Sequence, residues 1–579
     1  MSEHDLVIRG GSVVDGTGAP AFTADVAVRD GIVVEVGAVS GTGRQEIDAD
    51  GAVVAPGFVD VHTHYDGQST WDDRMQPSSW HGVTTAVMGN CGVGFAPVVP
   101  ADHDRLIELM EGVEDIPGVA LAEGLAWDWQ SFPEYLDAVE RRPHDIDLAA
   151  QVPHAAVRVR AMGARAAAHE MATGEEIALM AKLAAEGIEA GALGFSTSRT
   201  LNHKSISGEL TPTYDAGMEE LTAIAAAIGR TGKGVLQLVT DWDDDLGPDA
   251  RLVRAMMEAS GRPMSLSLAQ STTNPQKFRE ILRLIEQVND DGYRLRAQVA
   301  ARGIGIILGL DCTLNPFMYN PVWQSVSHLP LAEQAAQMAS SDFRARVLAA
   351  QSGEENLTRI GGRIIGKFDL MFELADPPSY EPDPEDTVAR RAARIGCTPE
   401  ELAYDLLVAD HGRGLLYSPF ANYNAGSLDA VQEMMAHPYT VPGLSDGGAH
   451  VGTICDGSFP TTLLQHWVRD RDHGTFELPY IVARQSRATA ELVGLLDRGL
   501  LKPGYKADVN VIDMAGLRLH KPEIRHDLPA GGRRMVQRVD GYRHTVVSGQ
   551  ETYRDGEAVG PLPGRLIRGA QPGPAARAQ

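Results

Sequence analysis

Between residues 58 and 499 the sequence alternates short apolar runs with longer segments of helical texture. No other feature constrains the fold as strongly. The apolar runs 84–88, 192–196 and 234–239 are separated by stretches rich in Ala, Leu and Glu, of which 174–186 and 218–230 are the clearest. Strand, helix and strand in succession make a unit that builds a parallel sheet. So many units in one stretch predict an α/β fold of the TIM type, a closed (β/α)8 barrel over 58–499. An open doubly wound sheet is the alternative, weakened because no Gly-x-Gly-x-x-Gly turn opens an early helix.

The flanks have a different texture. Residues 5–36 read as short strands punctuated by Gly10-Gly11 and Asp30-Gly31, and strand-and-turn patterning returns at 502–512 and 545–556. Asp-Gly and Gly-Gly between β-branched runs are hairpin punctuation. We expect 1–57 and 500–560 to pair into one small composite β-sandwich beside the barrel. The Pro-, Asp- and Glu-rich segment 377–401 reads as a loop within an insertion around 320–400. The tail 561–579, rich in Gly, Pro, Ala and Arg, reads as disordered.

The chain has 579 residues, enough for a large barrel plus a second module. Its net charge of −27 repels phosphate backbones and anionic lipid, which argues against nucleic acid and membrane surfaces as partners. The four cysteines, Cys91, Cys312, Cys397 and Cys455, lie far apart, which suits a reducing cytoplasm rather than a disulfide framework. The N-terminus lacks a basic segment leading into an apolar one, and we find no uncharged run long enough to span a bilayer. The expectation is a soluble cytoplasmic protein acting on a small molecule. The sequence leaves homo-oligomer formation open.

The sharpest local feature is Pro56-Gly57-Phe58-Val59-Asp60-Val61-His62-Thr63-His64. Side chains alternate along a strand, so His62 and His64 share a face. Two imidazoles side by side at the C-terminal end of a barrel strand are a natural pair of metal ligands. The plain alternative is a pair of histidines that cap the strand through hydrogen bonds.

Residues 57–66 resemble the first-strand signature of the amidohydrolase superfamily. Segments 5–18 and 503–508 are similar to its composite sandwich, so the resemblance covers nearly the whole chain. Gly89-Asn90-Cys91-Gly92, residues 191–197 and Leu444-Ser445-Asp446-Gly447 point to the N-acyl-D-amino-acid deacylase (D-aminoacylase-like) branch. The resemblance implies metal-dependent hydrolysis of amide bonds and zinc as the usual metal. It also implies Cys91 as a metal ligand, with Asp446 as both last ligand and general base. Taken alone, Cys91 reads as a buried inert thiol and Asp446 as a turn residue before Gly447-Gly448.

The branch pattern is incomplete here. Its fifth- and sixth-strand histidines fall at or near Val239 and Leu268, and its lysine position is Gln270. The branch's His-Pro-Arg segment is replaced by Ile454-Cys455-Asp456-Gly457. His62, His64, Cys91 and Asp446 suffice for one divalent ion but not two. Gln237, Asp241 and Gln270 are weaker candidate oxygen contacts. At the barrel mouth, Arg199, His203 and Lys204 can bind a substrate carboxylate or be solvated loop charges. His450 can orient substrate, replace a lost ligand, or be an exposed loop histidine. His81 reads as a helix-end residue, and the acidic run 241–245 as a solvated loop.

The functional expectation is a metal-dependent hydrolase of C–N bonds in non-peptide, N-acyl amino-acid-like or cyclic amides. A barrel that has lost catalysis and serves as a binding or scaffold protein is the alternative, motivated by the missing histidines. A third reading keeps the enzyme but changes the bond.

Overall fold

The computed structural model of the chain describes residues 3–242, 245–353 and 364–574. Eight parallel strands form the central sheet: Phe58–Asp60, Val83–Met88, Asp147–Pro153, Gly194–Arg199, Val235–Thr240, Met264–Leu268, Leu295–Val299 and Thr440–Pro442. They are called the first to eighth barrel strands below. Each pairs in parallel with the next. The two ends of the sheet meet through a parallel bridge between Thr63 and Gly447, with Asp446 N donating to His62 O at 3.1 Å and His64 N to Gly447 O at 2.8 Å. The sheet is therefore closed into a barrel.

The helical patterns are realised where local chemistry favours them. Gly174–Ala190 starts at a capping box in which Thr173 and Glu176 satisfy each other's orphan backbone groups. Met218–Thr231 ends at Gly232 in the left-handed region. Both bury an apolar face against the sheet.

The two chain ends share a nine-stranded sheet. Val53–Pro56 pairs antiparallel with Val509–Ile512, joining the N-terminal strands to the C-terminal ones. Phe22–Arg29 and Ile32–Gly37 form a hairpin around Asp30-Gly31, both at positive φ. Gly10-Gly11, in contrast, is not a turn but a register shift inside the single strand His4–Val13.

Other expectations change. The insertion is wider than 320–400. A lobe spanning 304–421 hangs between the seventh and eighth barrel strands, built on the antiparallel strands Ile304–Gly309, Leu415–Ala421 and Phe372–Glu373 with a core of its own. Residues 377–401 are only partly loop: Val388–Ile395 and the start of Pro399–Gly412 are helical. The tail is ordered as far as residue 574. Leu148 N donates to Arg565 O and Ile567 N to Leu148 O, so 564–571 is a strap that pairs with the start of the third barrel strand and then bonds Gly191 and Gly494. Backbone pairing and the burial of Leu566 and Ile567 outweigh the polar composition that suggested disorder. Residues 575–579 lie outside the described residues.

Among the described residues no helix is long and apolar enough to cross a membrane. All four cysteines are free thiols.

Candidate active site

His62 and His64 follow the first barrel strand and are both buried. Thr63 between them points the other way, its hydroxyl donating to Val87 O at 2.9 Å. The second strand is followed at once by Gly89, at φ 78°, where an added Cβ would sit 2.2 Å from Gln151 O. That tight passage turns the chain so that Cys91, itself at φ 54°, faces the histidines. The eighth strand is followed by Leu444-Ser445-Asp446, with Leu444 and Asp446 also at positive φ. Left-handed backbone at non-glycine residues costs about 1–3 kcal/mol each and gathers at functional sites. Ser445 Oγ holds the segment in place by donating to Asp60 Oδ2 at 2.5 Å and bonding His62 O at 3.0 Å.

Four donor atoms converge. His62 Nε2 lies 3.2 Å from Cys91 Sγ and 3.3 Å from Asp446 Oδ1, and His64 Nε2 lies 3.6 Å from the same Asp446 oxygen. The His62, His64 and Cys91 donor atoms all fall within 4.8 Å of one another. Four ligands at about 2.1 Å from a tetrahedral cation are separated by about 3.4 Å. The mutually close set His62, His64 and Cys91 can share one ion, and Asp446 approaches it from the side of the two histidines. Both ring nitrogens of His64 are buried with no hydrogen bond among the described residues, which leaves Nε2 open to a cation.

Two residues absent from the sequence reading stand behind the histidines. Gln298 Oε1 is 2.6 Å from His62 Nδ1, and Gln298 Nε2 donates to Ser265 Oγ at 3.1 Å. With that amide orientation, His62 carries its proton on Nδ1 and offers Nε2. Glu114 Oε1 is 3.3 Å from His64 Nδ1, and Glu114 Oε2 is 3.5 Å from His450 Nε2. The signal for Gln298 was a polar residue at an inward position of an apolar strand. Glu114 looks like its helical neighbours Glu108 and Glu111 in sequence.

The site's electrostatics follow from burial among like and unlike charges. Burial pushes the His62 imidazole down to about 4 and the Cys91 thiol up to about 12. Burial also works against a charged His64, but the Glu114 carboxylate and Asp446 outweigh it and raise that imidazole well above its ordinary range. Burial would raise Asp446, yet His64, His62 and His450 hold it well below the usual carboxylate range. Burial raises Glu114 despite His64 and His450.

Of the mouth residues, His450 comes to the centre, and His203 lies within reach of its charges. His203 Nδ1 is 2.8 Å from Ser198 Oγ, and burial followed by the charge of His450 holds its imidazole neutral, down to about 3. His450 Nε2 lies 4.0 Å from Asp446 Oδ2. Arg199 turns aside, with Nε donating to Tyr214 O at 3.4 Å and Nη1 4.0 Å from Asp249. Lys204 takes part in a backbone bridge with Leu210 and is half-buried.

The weaker oxygen candidates separate. Asp241 is occupied by Thr200 and by Leu201 N, and Gln270 Oε1 accepts from Asn424 N while its backbone N donates to Asn422 Oδ1. Gln237 is buried with neither amide atom partnered among the described residues. Of the acidic run, Asp243 and Asp244 lie outside the described residues. His81 is buried, 2.8 Å from Thr461 Oγ1 and 3.0 Å from Gln537 O. Asp456 pairs with the buried Arg302 at 2.7 Å, and Arg302 stacks 3.4 Å over the Tyr380 ring. The fifth strand ends in Val239-Thr240 and the sixth in Leu268, so no imidazole projects from either end.

Residues 45–553 match the Amidohydrolase family. The chain belongs to this family. It is a metal-dependent hydrolase in the D-aminoacylase-like branch. This amidohydrolase is 28% identical over 618 residues to an uncharacterized protein of Mycobacterium tuberculosis, covering 99% of this chain and 97% of the relative. It is 26% identical over 575 residues to a D-aminoacylase of Alcaligenes xylosoxydans xylosoxydans, covering 97% of each. Its fold is similar to the crystal structure of N-acyl-D-glutamate deacylase from Bordetella bronchiseptica complexed with zinc and a phosphonate inhibitor. The TM-score is 0.64 and the identity 24%, covering 98% of this chain and 99% of that one.

Proposed function

We propose that this amidohydrolase hydrolyses the C–N bond of a small N-acyl amino-acid-like or cyclic amide, with one divalent ion, zinc, held by His62, His64, Cys91 and Asp446. The observation that carries the reading is the cluster of His62, His64 and Cys91 donors within 4.8 Å of one another, with Asp446 Oδ1 at 3.3 and 3.6 Å from the two histidines. The similarity to enzymes named D-aminoacylase and N-acyl-D-glutamate deacylase supports amide hydrolysis. The absence of imidazoles at Val239 and Leu268 supports one ion rather than two. Four free thiols fit a cytoplasmic setting.

When bound, the ion polarises the amide carbonyl and lowers the pKa of water toward neutrality. The chain supplies the rest. Asp446 is ionised at neutral pH and so enters as proton acceptor, with Oδ2 facing His450 while Oδ1 faces the two metal histidines. It takes the proton of the attacking water and passes it to the leaving nitrogen. A carboxylate of low basicity releases that proton readily. His203, held neutral, offers a hydrogen bond to the substrate without repelling the cation. His450 borders the same space and orients substrate beside Asp446. Arg199 contributes little, because its donors are directed elsewhere; Lys204 is retained as a contact at the rim.

The test is chelator stripping and metal restoration followed by an amide and lactam panel. Turnover that disappears and returns with one equivalent of metal supports the reading. A protein that binds no metal and hydrolyses nothing on the panel overturns it in favour of a binding protein.

A further inference from the structure

Glu114 is 1% exposed, ends the helix His103–Glu114, and touches neither solvent nor a hydrogen-bond donor of good geometry among the described residues. A buried carboxylate without hydrogen bonds is expensive, and the expense must be offset by charge nearby. What faces it is two imidazoles: His64 Nδ1 at 3.3 Å from Oε1 and His450 Nε2 at 3.5 Å from Oε2. His64 in turn presents Nε2 to Asp446 Oδ1 at 3.6 Å.

The helix end cannot swing away. His450 N donates to Glu114 O, Gly452 N donates to Asp115 Oδ2 at 3.2 Å, and Thr313 Oγ1 donates to Asp115 Oδ1 at 3.1 Å. Asp115 adopts the left-handed conformation that stops the helix there. The helix terminus, the loop that follows Asp446 and the inserted lobe are thus locked together around one carboxylate.

We propose that Glu114 is a positioning residue for the metal. It receives the Nδ1 proton of His64, fixes the tautomer that leaves Nε2 for the ion, and through its second oxygen sets His450 beside Asp446. The proposal rests on the metal site described under Proposed function. Its logic is that of a carboxylate behind a ligating histidine: the cation makes the far N–H more acidic, and the carboxylate rewards that polarity with a stronger hydrogen bond. Gln298 gives His62 the neutral version of the same support. The two ligands therefore differ in basicity, with His64 the stronger donor.

The experiment compares the wild-type chain with Glu114→Gln and His450→Gln. Zinc and cobalt affinities are measured by chelator competition, and the ligand-field absorption of the cobalt form is recorded. Glu114→Gln is expected to weaken metal affinity about 10–100-fold and to shift the cobalt spectrum. His450→Gln is expected to bind metal as the wild type does, because the carboxylate still faces His64. A Glu114→Gln protein with wild-type affinity and spectrum overturns the proposal. If that variant does not fold, crystals of the cobalt-loaded wild type decide. Glu114 Oε1 within hydrogen-bond distance of His64 Nδ1 supports the proposal, and a water or a gap between them overturns it. A wild type that binds no metal overturns the proposed function itself, which separates the two failures.

Discussion

Gln298 Oε1 sits 2.6 Å from His62 Nδ1, linking the seventh barrel strand to the residues that follow the first. That contact decides which nitrogen of His62 is available to an ion. Replacing Gln298 by Leu leaves the buried Nδ1–H of His62 without a partner. We expect metal affinity to fall about 10–100-fold with the fold retained, read by chelator competition alongside thermal melts. Unchanged affinity would show that His62 needs no help in choosing its tautomer.

Asp446→Asn keeps the shape of the side chain but removes its ability to take a proton. The expected result is a drop in kcat of about 10²–10⁴-fold on any amide the wild type turns over. Full activity in this variant would remove Asp446 as the base.

Cys91 is a poor thiolate without a cation, since burial, only partly offset by His64, pushes it up to about 12. A bound metal reverses this by stabilising the sulfur anion. The cobalt form of the wild type should therefore show sulfur-to-metal charge-transfer absorption, absent in Cys91→Ser. Identical spectra for the two proteins would mean that the thiol is a bystander.

His81 gives the fold a pH dependence of its own. Burial holds the imidazole down to about 3, whereas in an unfolded chain it titrates near 6.5. As pH falls below 6.5 the unfolded chain takes up a proton that the folded chain refuses. Stability is then lost toward pH 3 by up to about 1.4 kcal/mol per pH unit from this group. Above pH 6.5 the effect vanishes. Melting temperatures between pH 7 and pH 4 should decline, and His81→Gln should flatten part of the decline.

The Arg302–Asp456 pair anchors 455–458 near Asp446, with Arg302 Nη1 also reaching Ser458 Oγ at 3.1 Å. Removing one partner strands the other charge in the interior. Arg302→Met is expected to destabilise the protein by about 3–5 kcal/mol, and adding Asp456→Leu should restore much of the loss. Denaturant titration of both variants measures it.

The barrel was legible because alternation of strand and helix is written in local sequence. So was the shared face of His62 and His64, which follows from the pleat alone. Cys91 and Asp446 were legible only by resemblance, since a lone thiol and an Asp before Gly-Gly have commoner local explanations. Glu114 was illegible because its role is created by a tertiary contact: nothing in its helix separates it from Glu108 and Glu111. Gln298 left a trace, a polar residue on the inward face of the strand Leu295–Val299, but its partner His62 is known only once the barrel closes. The tail misled because its composition says nothing of the exposed edge of backbone that Leu148 offers it.

In the proposed site His62, His64, Cys91 and Asp446 share one cation. Anomalous scattering at the metal edge, from crystals of protein purified without chelator, tests it most directly. One peak is expected about 2.0–2.3 Å from His62 Nε2, His64 Nε2, Cys91 Sγ and Asp446 Oδ1. No peak there in metal-replete crystals, or a peak that Cys91 or Asp446 does not reach, would contradict it.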